Sequence, residues 1–260
     1  MRAPEDKTEA VAYGRAMTSK RYAVFGAGRV GRAMAAYLGN LGHEAVLVTR
    51  SEAENAPEKC REQVAWADVV AAAIPDGRIA EWAEKWRGDL AGKPAIHFSG
   101  ALSVGGMFSY HPLFSFPRAG LSPAIMRGIV FARQEGAPPF AEIVPGAPNH
   151  EFVVADADRA YYHALAVLSG NFAAFLWNET ASGLAARLKI APETVLSGYF
   201  FSIVERFRES PYDSLTGPVT RRDAATVEAN LDALAADPKL AGLYRAFLRA
   251  AWPNFEPSEG

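Results

Sequence analysis

Apolar and polar positions follow two different rhythms along this chain. From Tyr22 to about Val154, short apolar runs of strand length are separated by amphipathic or polar stretches; from Ala157 onward the apolar positions recur at helical spacing. Tyr22 to Phe25 is the first run and predicts a buried strand. Val30, Met34, Tyr37, Leu38 and Leu41 then recur as the inner face of a helix, and Gly39, Asn40 and Gly42 punctuate its end. Glu44 to Val48 predicts the second strand, and the polar stretch Glu52 to Glu62 a short surface helix. Ala67 to Ile74 predicts a third strand that stops at Pro75 and Asp76. A helix follows from about Arg78 to Arg87, with Trp82 and Trp86 on its core-facing side. Lys93 to Phe98 and Gly128 to Ala132 read as further strands. The Pro- and Gly-rich stretch Glu135 to His150 leaves room for one short helix, and Glu151 to Val154 closes the series.

The second rhythm predicts helices alone. Ala160 to about Lys189 is rich in Ala and Leu and apolar nearly all round, the mark of a helix buried in a domain centre or in a dimer interface. Pro192 opens a helix that carries Phe200, Phe201, Val204 and Phe207. Asp213 to Thr220 reads as a loop, and two more helices are expected at about Asp223 to Ala235 and Lys239 to Ala251. The expected organisation is an N-terminal extension over 1–19, an α/β domain with a doubly wound sheet over 20–155, and an all-α domain over 156–260.

The junction of the first strand and helix carries the sharpest chemistry. Gly26, Gly28 and Gly31 fall at G-x-G-x-x-G spacing between a strand and a helix, with a second strand following; this is the context of a Rossmann dinucleotide turn. In such a turn Gly26 allows the bend, Gly28 lets the backbone approach a pyrophosphate, and Gly31 lets the helix pack closely on the strand. The free N–H groups of the helix N-terminus then face the phosphate charge. Ala27, Arg29 and Val30 complete the turn, Arg29 adding positive charge. The tip of the second strand selects the nucleotide. An NAD site usually places an acid there, whereas this chain has Thr49, Arg50 and Ser51, with no acid before Glu52. Arg50 can fork onto a 2′-phosphate, and Thr49 and Ser51 can donate hydrogen bonds, so NADP(H) is the expected cofactor; the plain alternative is a solvated loop arginine. Ile74, Pro75 and Asp76 should border the cofactor path, although Asp76 reads more simply as the N-cap of the next helix.

Composition sets the context. At 260 residues the chain can build one or two domains; half of it is apolar, and its formal net charge of −2 argues against a nucleic-acid surface. Cys60 is the only cysteine, which excludes an intrachain disulfide. No apolar run is long enough to span a bilayer, and Met1 to Lys20 lacks the apolar centre of a signal peptide, so a cytoplasmic enzyme without membrane contact is expected.

Two segments offer catalytic groups. Ser99 follows the fourth strand, where its hydroxyl can face a nicotinamide or a substrate. His111 precedes Pro112, which holds it extended; it reads equally as a packed histidine and as a group that exchanges a proton with a substrate oxygen or nitrogen. His97 reads as a satisfied core histidine. In the helical half, Tyr162 and His163 open the long helix, and Asn171 lies about two turns further on, where it either bonds a helix neighbour or holds a substrate group. Thr216, Gly217 and Arg221 lie around a turn before a helix.

Four stretches together resemble one family: His97 to Ser103, His111 to Phe114, Tyr162 to Asn171, and Leu215 to Asp223. It is a bacterial Rossmann-like group whose C-terminal half is a domain of unknown function, and the resemblance runs from about Lys20 to Ala251. Its wider relatives include ketopantoate reductase, pyrroline-5-carboxylate reductase, β-hydroxyacid dehydrogenases and prephenate dehydrogenase. The His111-Pro112 pair is similar to the histidine-proline motif of prephenate dehydrogenases, in which the histidine contacts the substrate hydroxyl and a preceding serine, here Ser99, supports it. The turn at Thr216, Gly217 and Pro218 is similar to a substrate- and cofactor-facing turn of pyrroline-5-carboxylate reductases. One departure concerns the catalytic lysine that stands a turn before an asparagine in the ketopantoate and β-hydroxyacid reductases. The residue four before Asn171 here is Val167, with His163 a further turn earlier, and a histidine replaces the lysine in this reading.

The resulting expectation is an NADP-dependent oxidoreductase that reduces a small 2-oxo acid (ketopantoate-like) or imine acid in an interdomain cleft. His111 or His163 would serve as proton donor, Ser99, Asn171 and Thr216 would position the substrate, and Arg221 would pair with a carboxylate. The alternatives are a prephenate-type dehydrogenase and a non-catalytic NADP-binding sensor. The apolar helical half suggests a homodimer.

Overall fold

The chain steps outward from its first strand, returns to the other side of it, and builds the rest of its sheet from there. β1 (Arg21–Phe25), β2 (Glu44–Val48), β3 (Val69–Ala72), β4 (Ala95–His97), β5 (Phe108–Pro112), β6 (Phe131–Gln134) and β7 (Glu151–Val154) form one sheet in the order β2-β1-β3-β4-β5-β6-β7. The first five are parallel; β6 runs antiparallel to β5, and β7 is parallel to β6. The direction of winding reverses between β1 and β3, which opens a crevice at their carboxyl ends. These are features of a computed structural model that describes residues 18–256, so the expected extension lies outside the described residues apart from 18 and 19.

Helices cover both faces. α1 (Arg29–Asn40) joins β1 to β2, α2 (Arg50–Asn55) and α3 (Pro57–Trp66) precede β3, and α4 (Ile79–Trp86) precedes β4. α5 (Pro123–Gly128) and α6 (Phe140–Ile143) flank β6, and α7 (Arg159–Ala166) follows β7. On one face Tyr22, Val24, Met34, Tyr37 and Leu38 join Tyr110, Phe131 and Phe140 in a core; on the other Phe25, Cys60, Val64, Ile79, Trp82 and Trp86 form a second. Alternate residues of the strands therefore feed opposite layers, as a sheet buried on both sides requires.

Several elements differ from the sequence expectation for local reasons. The polar helix expected over Glu52 to Glu62 is two helices, because Thr49 caps the first and Pro57 starts the second. The strand expected from Gly128 begins at Phe131, since Ser122 caps a helix that opens on Pro123 and ends at Gly128. β5 was not expected as a strand. Part of the loop expected over Asp213 to Thr220 is the short helix described below.

The described residues divide into two compact units between Ser169 and Gly170. The divide falls inside a π-helical turn, Val167–Phe172. The second unit is helical throughout: α8 (Ala173–Gly183), a further π turn Leu184–Leu188, α9 (Pro192–Glu209), α10 (Pro218–Arg221), α11 (Ala224–Leu234) and α12 (Pro238–Ala251). Its small core gathers Val219, Val227, Leu231 and Leu248. The long apolar helix is not buried in a domain centre: Leu168, Phe172, Phe175 and Trp177 are exposed, as are Tyr199, Phe201, Val204 and Phe207 of α9. Among the described residues no layer covers them.

Candidate active site

The glycine turn lies at the β1/β3 crevice. Gly26 adopts φ +109°, and a Cβ there would overlap the carbonyl of Ala73 at the tip of β3. A Cβ on Gly31 would overlap the carbonyl of Gly26, so α1 can start this close to β1 only with glycine at both places. Beside Gly28 there is open space, and α1 begins there without a side-chain cap and without an acid in its first turn. The orphan N–H groups and positive dipole end of a 12-residue helix therefore meet that space uncompensated, an environment that suits a phosphate. Arg29 and Val30 are the first two residues of that helix, and Arg29 stands exposed on it.

Beyond the turn lies a cavity of about 490 Å³, lined by Gly26, Ala27 and Gly28, by Thr49 and Arg50, by Ile74 and Pro75, and by Trp82 and Trp86. The two tryptophans, expected as core, are both core and wall. Arg50, Arg78 and Lys85 bring three cations to this cavity, against Glu54 and Glu81. Arg50 pairs with Glu54 at 2.7 Å and Arg78 with Glu81 at 3.0 Å, and both arginines are mostly exposed. Thr49 and Ser51 are less free than their position suggested. The Thr49 hydroxyl closes a capping box with Glu52, and the Ser51 hydroxyl accepts from Asn55. The backbone N–H of Thr49, Lys59 and the Thr49 hydroxyl together hold the Glu52 carboxyl down at about 2. This lining suits a dinucleotide: a helix N-terminus free of acids, an apolar wall, and Arg50, paired with Glu54, at the tip of β2.

Along the same sheet edge, the ends of β4 and β5 meet the first turns of α7. Arg159, Tyr162 and His163 lie on one face of that helix at i, i+3 and i+4. Arg159 is fully buried; its guanidinium donates to the carbonyls of Leu102 and Ser99, both at 2.8 Å, and to the Ser109 hydroxyl. Among the described residues no carboxylate forms an ion pair with it, and burial lowers its pKa. Tyr162 sits 2.7 Å from Nδ1 of His111, and the His163 ring stands edge-on to His111 at 5.5 Å. Gly100 makes room for both histidines: a Cβ there would come within 2.5 Å of His163 and 3.1 Å of His111. Burial, then His163 and Arg159, push His111 down to about 4, so the imidazole is neutral near pH 7.

Ser99 and Asp76 play internal roles here. The Ser99 hydroxyl donates to Asp76 Oδ2 at 2.6 Å and accepts the N–H groups of Ala101 and Leu102, so its one proton is engaged within the protein rather than aimed at a substrate. Asp76 does not cap the following helix; no side chain caps that end, and its carboxylate receives Ser99 instead. His97 is buried but not satisfied. Its Nδ1 accepts the Ser99 N–H at 3.3 Å, while Nε2 is shut in without a partner among the described residues, and burial pushes the ring down to about 4.

The remaining sequence candidates belong to the second unit. Asn171 is exposed on the π turn. Thr216 is exposed and accepts from Arg206 at 3.0 Å. Gly217, at φ +97°, precedes Pro218 at the start of α10, and Arg221 ends that helix exposed. Sequence reasoning placed Tyr162 beside His163 but assigned it no role, and it passed over Arg159. The signal available was their i, i+3, i+4 spacing on a helix whose other residues are Ala, Leu and Tyr161.

Residues 129–251 match the family described as a domain of unknown function, DUF2520. No curated protein sequence matches the chain. Among solved structures, a protein of Bacteroides fragilis named as a candidate NADP oxidoreductase, BF3122, is similar at 20% identity and a TM-score of 0.70, covering 91% of this chain and 99% of that one. A pyrroline carboxylate reductase of Plasmodium falciparum with NADP bound follows at 11% identity and a TM-score of 0.56, covering 90% and 96%. A reductive aminase of Aspergillus terreus in complex with NADPH and ethyl levulinate is similar at 18% identity and a TM-score of 0.54, covering 90% and 95%. The shared fold is a Rossmann-like α/β domain followed by a helical region.

Proposed function

We propose that this chain is an NADP(H)-dependent oxidoreductase acting on a small C=O or C=N compound of the 2-oxo acid or imine acid class. The observation that carries the reading is a juxtaposition within one unit: the glycine turn with its basic cavity, and the His111–Tyr162–His163 cluster, occupy carboxyl ends of neighbouring strands of a single sheet. The nucleotide, when bound, supplies or accepts a hydride; the protein supplies orientation and charge stabilisation. The three glycines and the N-terminus of α1 hold the pyrophosphate, and Arg50 selects the 2′-phosphate. His111 donates a hydrogen bond, as a neutral imidazole, to the oxygen or nitrogen that gains charge, and the nearby Arg159 guanidinium favours negative charge at that point. Ser99 and Asp76 act by holding the β4 tip in place. The imine preference rests on the names of the reductive aminase and pyrroline carboxylate reductase relatives, and the oxo-acid preference on the sequence resemblance.

We further infer that a second copy covers the apolar faces of α8 and α9, because Trp177, Phe201, Val204 and Phe207 are too large a set of exposed side chains for a solitary chain. Light scattering at micromolar concentration should give a dimeric mass; a monomeric mass refutes this part.

Titration with NADPH and NADH tests the cofactor reading, with the fluorescence of Trp82 and Trp86 as reporter since both line the cavity. NADPH should bind tighter, and Arg50→Ala should weaken NADPH by about tenfold or more while leaving NADH nearly unchanged. A panel of 2-oxo acids and cyclic imines then seeks NADPH oxidation. Absence of binding by either nucleotide overturns the proposal, and binding without turnover across the panel favours an NADP sensor. Oxidation of a hydroxy acid with NADP, and no reduction of any panel member, favours a prephenate-type dehydrogenase.

A further inference from the structure

The His111–Tyr162 contact carries a consequence for where the imidazole keeps its proton. We propose that Tyr162 is a positioning residue whose phenol donates to Nδ1 of His111, so that the imidazole is held in the tautomer bearing its proton on Nε2. The proposal rests on the reductase reading only for the use to which that Nε2–H is put.

The direction of the bond follows from acidity and from partners. The phenol oxygen lies 2.7 Å from Nδ1. A phenol is a far stronger acid than the N–H of a neutral imidazole, so O–H···N is the favoured arrangement. In the reverse arrangement the Tyr162 proton would need another acceptor, and none pairs with it among the described residues; its other contacts are ring edges, to His111 and to Phe152 at 5.6 Å. The phenol is also held in place. Arg159, one turn earlier on α7, is fixed by the Ser99 and Leu102 carbonyls and the Ser109 hydroxyl, which pins the helix against the β4 tip. Phe152 meets the tyrosine ring edge-on at 5.6 Å.

The two ring nitrogens of His111 are thereby made different. Nδ1 is committed to Tyr162. Nε2 has no protein partner among the described residues, and unlike Nε2 of His97 it is not shut in. The groups facing the ring are Tyr162, His163 and Arg159 from α7, Asp76 from the β3–α4 turn, and Gly100 from the β4 tip. Among these only the tyrosine bonds a ring nitrogen, so it alone sets the tautomer. A donor at Nε2 is what a substrate oxygen or nitrogen gaining charge requires, and a tautomer held in advance needs no proton shift before the reaction.

Long-range 1H–15N NMR of the uniformly 15N-labelled full chain tests this without any substrate, with His111→Asn supplying the assignment. The wild-type His111 should show a pyrrole-like Nε2 and a pyridine-like Nδ1 near pH 7.5. In Tyr162→Phe, which keeps the ring and removes only the hydroxyl, the two shifts should move toward each other as the tautomers mix. A protonated Nδ1 in the wild type, or shifts that do not move in Tyr162→Phe, overturns the proposal. Once a substrate is identified, the same variant should lower kcat on the order of 10²-fold with the KM for NADPH unchanged. Tautomer and turnover are read separately. A chain with the expected tautomer but no NADPH binding defeats the reductase reading alone, and an active enzyme with a protonated Nδ1 defeats this inference alone.

Discussion

Acidification should unfold this protein earlier than its carboxylates alone would allow. His97 is fully buried and His111 partly so, and desolvation pushes both from the ordinary 6.5 down to about 4. In the unfolded chain each ring takes up a proton near pH 6.5; in the folded chain it does so only near 4. The unfolded state therefore binds more protons throughout this window, and stability present above about pH 6.5 is lost as the pH falls toward 4. One proton is worth about 1.4 kcal/mol per pH unit, so each histidine removes roughly 3 kcal/mol by pH 4. Together they remove a large share of the ~5–15 kcal/mol that typically holds a domain folded. Asp68 and Glu52, held down at about 2, act in a separate window below about pH 4. The assay is urea unfolding between pH 7.5 and 4.5, with the slope of stability against pH read as protons. His97→Leu, whatever it costs at pH 7.5 through the unpaired Ser99 N–H, should reduce that slope by nearly one proton. An unchanged slope in the variant, or a His97 ring that titrates near 6.5 by NMR, would refute the assignment.

Two further substitutions probe how the cluster is built. Gly100→Ala puts a Cβ 2.5 Å from the His163 ring, an overpacking that should cost about 1–3 kcal/mol in thermal unfolding and disturb both histidine resonances; a variant as stable as the parent with unmoved resonances contradicts the packing. Arg159→Met removes the guanidinium donor from the Leu102 carbonyl and the Ser109 hydroxyl, leaves the Ser99 carbonyl only the Ser109 hydroxyl at 2.6 Å, and should cost about 2–4 kcal/mol. Because the Arg159 charge lowers both His97 and His111, both rings should titrate closer to 6.5 in this variant, which a purely structural arginine would not cause.

What could be read from the sequence and what could not divide by the distance over which the cause acts. The glycine turn was legible because its causes are local. The positive φ of Gly26 and the overlap that forbids a Cβ on Gly31 arise within one strand–turn–helix, and three glycines at fixed spacing announce them. The order of elements was legible for the same reason, since each strand or helix carries its own period. Misplaced boundaries came from caps that compete with period: the helix opened by Ser122-Pro123 runs to Gly128, the residue at which a strand is expected to start, and Thr49 with Pro57 cuts one polar helix into two. The cluster was legible only in part, because its partners lie far apart in the chain. His111 was recognisable from the proline that follows it, but Tyr162 reaches it across 51 residues, and Arg159 reaches Ser99 across 60. Such pairs are set by how α7 lies against the ends of β4 and β5, which no local pattern encodes. Ser99 is the converse case. Its place after a strand is legible, but position alone does not say where a hydroxyl points. In the structure it donates to Asp76 at the neighbouring strand tip. The chemistry of this edge is therefore divided by burial: Arg159 and Ser99 are committed inward and hold the frame, while the Nε2 atom of His111 has no protein partner among the described residues.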